Sequence, residues 1–186
     1  MGEKNLQLNF EHEILPHLDS AYNLARWLTR NEHDAQDVVQ EAYMRAFRFF
    51  GQFRGGNARA WLLRIVRNTC YTWLHRNRPD QLFVELDDSS SPPDPFNPDV
   101  EATLVCNERA MMLRHALETL PQKLREVLIL RELEGLSYRE IAEVTGSPTG
   151  TVMSRLSRAR GGLKESLLNQ SGAQRPPAAA LADRDH

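Results

Sequence analysis

The chain has 186 residues, is 41% apolar and carries a formal net charge of −2. That length suits one domain or two small ones, each burying only a modest core. No run approaches the roughly 20 apolar residues of a membrane span. The first residues lack the basic start and apolar stretch of a signal peptide, and Cys70 and Cys106 are too few and too separated for a disulfide framework or a metal site. A cytoplasmic protein without metal or cofactor is expected, with no membrane insertion of its own.

The first module is expected over residues 8–78. It begins with a helix around Leu18, Tyr22, Ala25 and Leu28. Asn31 can cap a second helix over about 32–50, whose inner side holds Ala35, Val38, Val39, Ala42 and Ala46. Its outer side presents Asp34, Asp37, Gln40 and Glu41, then Arg45 and Arg48, an order that suits the helix dipole. The compact patch of Asp37, Gln40 and Glu41 is unusual, although a merely solvated face would read the same way. The carboxylates are expected to face away from the arginines that follow.

A loop from Gly51 to Asn57 leads into a long helix over about 58–77, with Trp61, Leu62, Ile65, Val66, Cys70 and Trp73 as its core. Arg64, Arg67, Asn68, Tyr71, His75 and Arg78 recur at three and four and predict one continuous polar stripe. Arginine and asparagine bind phosphates and base edges, and an aromatic ring can stack on an unpaired base. No acid stands on that stripe, which favours nucleic acid over a plain amphipathic edge.

Residues 79–100 read as an acidic linker. The stretch from Asp87 to Asp99, DDSSSPPDPFNPD, can neither sustain helix nor bury a core. From Asp80 to Glu101 there are acids and no Lys or Arg, whereas residues 54–78 carry six arginines and no acid. Residues 145–170 are basic again through Arg155, Arg158, Arg160 and Lys164. Such segregation, and not the total charge, predicts phosphate binding.

The second module is expected over 101–170. It opens with a helix containing Leu104, Glu108, Met112, Leu113 and Leu117; Leu120-Pro121 starts another, with Val127, Leu128 and Leu130 inward, ending at Gly135. Residues 137–160, SYREIAEVTGSPTGTVMSRLSRAR, then form two short capped helices around a turn. Ser137 and Glu140 make a capping box, Gly146 takes the positive φ of the turn, and Ser147-Pro148 should serve as N-cap and first helical residue. Val152, Leu156, Ala159 and Leu163 form the buried stripe, leaving Thr151, Met153, Ser154, Arg155, Ser157 and Arg158 outside. This is the layout of a helix-turn-helix, whose second helix lies in the DNA major groove. Gly161-Gly162 costs roughly 1 kcal/mol per glycine relative to alanine, so the helix should fray or bend after Arg160. From Ser171 the chain reads as a disordered tail. No strand pattern or repeat intervenes, and the fold class is all-α in two small domains.

Taken together, the chain resembles the extracytoplasmic-function sigma factors of the sigma-70 family over about residues 8–170. DAQDVVQEAYMRAF at 34–47, FRGGNARAWLLRIVRNTCYTWLHR at 53–76 and LPQKLREVLILRELEGLSYREIAEVTGSPTGTVMSRLSRAR at 120–160 carry the resemblance. It implies that 8–78 is sigma region 2 and 101–170 is sigma region 4, in a non-catalytic specificity subunit that directs transcription initiation. Asp37, Gln40 and Glu41 would then dock on the β′ clamp of bacterial core RNA polymerase, whose β flap is a further expected contact. Asn57, Arg59, Arg64, Arg67, Asn68, Tyr71 and His75 would recognise and melt the −10 element of promoter DNA. At the −35 element Met153, Ser154, Ser157 and Arg158 would read bases, Tyr138, Arg139 and Arg155 would hold phosphates, and Thr151 would complete the face. Met153 stands where the family often has a basic residue, which implies an altered base preference. An anti-sigma factor is an expected partner.

Three other readings remain open at this level: an ordinary helix-turn-helix regulator, a recombinase or nuclease using Tyr71, a serine or an Asp34/Asp37 metal pair, and a decoy for a regulator. The first leaves residues 8–78 unexplained. The second lacks any His-Asp or Cys-His cluster. Cys70 and Cys106 fit buried structural positions better than a redox role.

Overall fold

The computed structural model describes residues 2–78 and 104–173. These hold eight α-helices and no strand: α1 (Gly2–Ile14), α2 (Leu18–Thr29), α3 (Glu32–Phe49), α4 (Ala58–Asn77), α5 (Leu104–Glu118), α6 (Gln122–Glu132), α7 (Tyr138–Thr145) and α8 (Thr149–Ala173). The acidic linker expected over 79–100 lies outside the described residues, as do positions 174–186 of the expected tail and the side chains of Leu104, Cys106 and Glu108.

In the first module α2, α3 and α4 each pack against the other two. Asn31 caps α3 by accepting from the Asp34 N–H at 3.0 Å, and Asn57 caps α4 through the Ala60 N–H at 3.0 Å. The α3 face of Ala35, Val38, Val39, Ala42 and Ala46 is buried as the sequence predicts. On α2 the buried residues are Ala21, Leu24, Ala25 and Leu28, while Leu18 is exposed and Tyr22 only half-buried. The unforeseen α1 contributes Phe10 and Ile14 to the core; the Tyr43 hydroxyl donates to the Ile14 carbonyl at 3.3 Å. Along α4 the buried line is Leu62, Leu63, Val66, Cys70 and Leu74. Trp61, Ile65 and Trp73 sit at its edges, because an indole is too large to be wholly enclosed in so small a body.

The second module is built around α6, which is buried at Gln122 and at every position from Arg125 to Leu130. A helix enclosed on all sides has neighbours on all sides. Here α7 and α8 pack from one module, and α2 from the other. Arg125 donates to the carbonyls of Glu118 at 3.2 Å and Leu120 at 3.5 Å, satisfying the end of α5. On α5 itself Ala116 and Leu117 are buried, whereas Leu113 is exposed.

The turn before α8 follows the expected chemistry with one shift. Ser137 and Glu140 form the full capping box, and Gly146 closes α7 at φ +63°. The helix starts at Thr149, one residue late, since the Pro148 carbonyl accepts from Val152 N–H at 3.1 Å and so occupies the cap position. Ser147 instead accepts from Arg155 at 3.0 Å. Fraying after Arg160 does not occur: α8 runs unbroken to Ala173, three residues into the expected tail. Gly162 explains part of this. A Cβ there would lie 2.9 Å from Leu120 Cδ2, so the glycine lets α8 approach the end of α5 closely.

Candidate nucleic-acid interface

Two faces carry the residues expected to meet DNA, and the structure treats them differently. On α8, Val152, Leu156 and Ala159 are buried and Leu163, expected with them, is only half-buried, while Met153, Ser154, Ser157 and Arg158 are exposed and Thr151 and Arg155 are half-buried. Arg139 on α7 is exposed, with its guanidinium 3.6 Å from Glu143. Tyr138 is half-buried beneath the Arg131 guanidinium, 5.0 Å from the ring centroid. Most of the residues expected at the −35 element are therefore open to solvent, with Tyr138 half-buried.

The α4 stripe is not continuous. Arg64, Asn68 and His75 are exposed, but Arg67, Tyr71 and Arg78 are engaged. Arg78 pairs with Asp34 at 3.1 Å. This corrects the expectation that the α3 carboxylates all face away from the arginines, and it leaves Asp34 committed to a cation. Among the described residues no group of three or more His, Cys, Asp or Glu is arranged to hold a metal ion.

Arg67 and Tyr71 meet the second module. Arg67 Nε donates to Glu126 Oε1 at 2.6 Å, and the Tyr71 hydroxyl lies 3.4 Å from Glu126 Oε2. The Arg67 guanidinium also covers the Tyr71 ring, 4.4 Å from its centroid. Glu126 is wholly buried, and that burial pushes its carboxyl above the usual carboxylate range, with Arg67 acting in the opposite direction. Arg59 is held by Ser20 within its own module, at 3.1 Å, and by Glu134 of the other. Asn57, besides capping α4, donates to Glu140 of α7. Burial likewise raises the Cys70 thiol far above its ordinary value, so it stays protonated.

The polymerase-docking candidates lie apart from both faces. Asp37 and Gln40 are exposed on α3, and Glu41 is half-exposed and paired with Arg45 one turn on. His33 stands 3.9 Å from Asp37.

Glu126 and Glu134 are the residues the sequence reading missed. Their signal is the run VLIL at 127–130, four consecutive apolar residues where one helix face needs about two. Such a run demands neighbours on both sides, and a glutamate beside it must be buried with a cation.

An all-α protein in two modules, one ending in a helix-turn-helix with an open basic face, has the layout of a DNA-binding protein. The family model "Sigma-70 region 2" matches residues 14–79, and "Sigma-70, region 4" matches residues 110–161. The RNA polymerase sigma-H factor of Pseudomonas aeruginosa is 37% identical over 173 residues, covering 87% of this chain and 84% of that protein. The ECF RNA polymerase sigma factor SigE of Mycolicibacterium smegmatis is 31% identical over 170 residues, covering 91% of this chain and 66% of that protein. Among solved structures, the sigma factor RpoE in complex with the anti-sigma factor NepR from Bartonella quintana matches with a TM-score of 0.68 at 31% identity, over 86% of this chain and 97% of that one. CnrH in complex with the cytosolic domain of CnrY matches with a TM-score of 0.62 at 26% identity, over 88% and 90%. The chain belongs to the sigma-70 family, and within it to the extracytoplasmic-function sigma factors that direct transcription initiation.

Proposed function

We propose that this protein acts in the cytoplasm as a dissociable, non-catalytic subunit of bacterial RNA polymerase, selecting promoters through two separate DNA contacts. Asp37, Gln40 and Glu41 dock on the β′ clamp, and region 4 meets the β flap. Arg139, Arg155 and Tyr138 hold phosphates of the −35 duplex while Met153, Ser154, Ser157 and Arg158, flanked by Thr151, face its bases. Asn57, Arg59, Arg64, Arg67, Asn68, Tyr71 and His75 capture unpaired −10 bases, offsetting the cost of unpairing them. The observation that carries this reading is the α8 surface: a capped helix-turn-helix whose exposed residues are the predicted readers, on a chain whose relatives are sigma factors. An anti-sigma partner is supported by the solved neighbour in which the sigma factor RpoE is bound to the anti-sigma factor NepR.

Run-off transcription with purified core polymerase on a library of promoter fragments tests the reading. Start-site-specific transcripts are expected, and none would appear if the assignment were wrong. Arg158→Ala should lose −35 discrimination by about tenfold, the worth of one good base contact. Asp37→Arg should weaken core binding while the far-UV circular dichroism is unchanged; wild-type affinity for polymerase would discredit the docking patch.

A further inference from the structure

Resting on the −35 reading of α8, we propose that Met153 is a specificity-determining residue: it selects a thymine in the −35 duplex through that base's 5-methyl group. Its placement carries the inference. Met153 is 51% exposed, and among the described residues between Leu133 and Leu168 it is the one large apolar side chain left open to solvent. It is the fifth residue of α8, in the N-terminal part through which a recognition helix meets base edges.

The fold gives Met153 no apolar partner of its own. Val152, Leu156 and Ala159 fill the core side of α8 without it. A helical side chain lies over the turn before it, which here holds Thr149 and Gly150, both exposed. A Cβ added at Gly150 would meet nothing within 4 Å, so the space beside that turn is open. One turn further on stands Ser157, short and exposed.

The chemistry of the side chain names its target. A thioether has no hydrogen to donate and is a weak acceptor, so it cannot tell base pairs apart by hydrogen bonding. The major groove carries one apolar mark, the thymine 5-methyl, and an apolar side chain against it removes both surfaces from water. Methionine suits that contact because its unbranched arm adapts to where the methyl falls. Its neighbours are turned to other tasks. The Ser154 hydroxyl donates to the Thr151 carbonyl at 3.0 Å, which commits its hydrogen inside the helix. Arg155 donates to the Ser147 hydroxyl, also at 3.0 Å. Discrimination on this face therefore divides in two: Arg158 supplies charge-assisted donors for a guanine, and Met153 supplies apolar surface for a thymine.

The test uses holoenzyme reconstituted from the full chain and core polymerase, on a promoter taken from the fragment library. Each thymine of the −35 duplex, on either strand, is replaced singly by deoxyuridine, which removes the methyl and leaves every hydrogen-bonding group in place. Promoter binding and run-off yield are measured at limiting holoenzyme. Wild type is expected to weaken about fourfold at a thymine facing α8, the worth of one buried methyl group. At that position Met153→Ser should bind thymine and deoxyuridine equally, whereas Met153→Leu, which keeps the apolar surface, should retain the preference. Wild type indifferent to every substitution, or a loss that Met153→Ser shares in full, would overturn the assignment, as would a selected −35 element made of G·C pairs alone. Arg158→Ala in the same assay keeps the two readings apart. If it loses −35 discrimination while the methyl has no effect, Met153 is not a reader and α8 still is. If neither change matters, the −35 reading falls as well.

Discussion

The two helices proposed to face DNA differ in what covers them. On α8 the expected readers stand open, and among the described residues their close polar partners are on the same module. On α4 two of the six residues of the expected stripe, Arg67 and Tyr71, meet Glu126 of the other module, and Arg59 and the cap residue Asn57 meet Glu134 and Glu140. Both helices are amphipathic with basic outer faces, and period alone gives them equal standing. On the proposed reading, α8 meets −35 DNA as a duplex from outside, whereas unpaired −10 bases need a pocket, and a pocket can be filled by the protein itself.

The largest effect that would sharpen this contrast is at Arg67. Arg67→Ala leaves Glu126 buried without its cation, a loss of about 3–5 kcal/mol if the modules stay together. Separation lets the carboxylate reach water, so the observed loss in denaturant unfolding should be about 1–3 kcal/mol, accompanied by expansion in scattering. Arg158→Ala removes an exposed side chain and should change stability by less than about 0.5 kcal/mol, with no expansion. Equal responses at the two arginines would erase the distinction between a covered face and an open one.

A smaller effect concerns how α8 is held. Gly161 has open space around it, and Gly161→Ala should raise stability by about 0.5–1 kcal/mol through helix propensity. At Gly162 the added methyl must displace Leu120, so Gly162→Ala should gain less or nothing. Thermal melts of the two variants decide whether Gly162 is a packing notch.

Much of this was legible in the sequence. The caps at Asn31, Asn57 and Ser137, the α3 and α8 buried stripes and the turn at Gly146 follow from local rules, because each involves residues within one or two helical turns. What escaped depends on the rest of the fold. The role of α1 could not be read because its core residues, Phe10 and Ile14, matter only once α3 is beside them. Gly162 reads as a weakness until Leu120 is placed against it. The occupation of Arg59 and Arg67 required knowing that α6 is buried on both sides, for which the VLIL run was the one local sign.

The central claim is that the α4 side chains serve region 4 in the free protein and promoter DNA in the initiation complex. Spin labels at Gln52→Cys and Glu165→Cys, with Cys106→Ser, allow the distance between the modules to be followed by pulsed electron resonance. The account predicts one short-distance population in the free chain, replaced by a longer one when core polymerase and promoter DNA are added. The short distance persisting in a transcribing complex would contradict it.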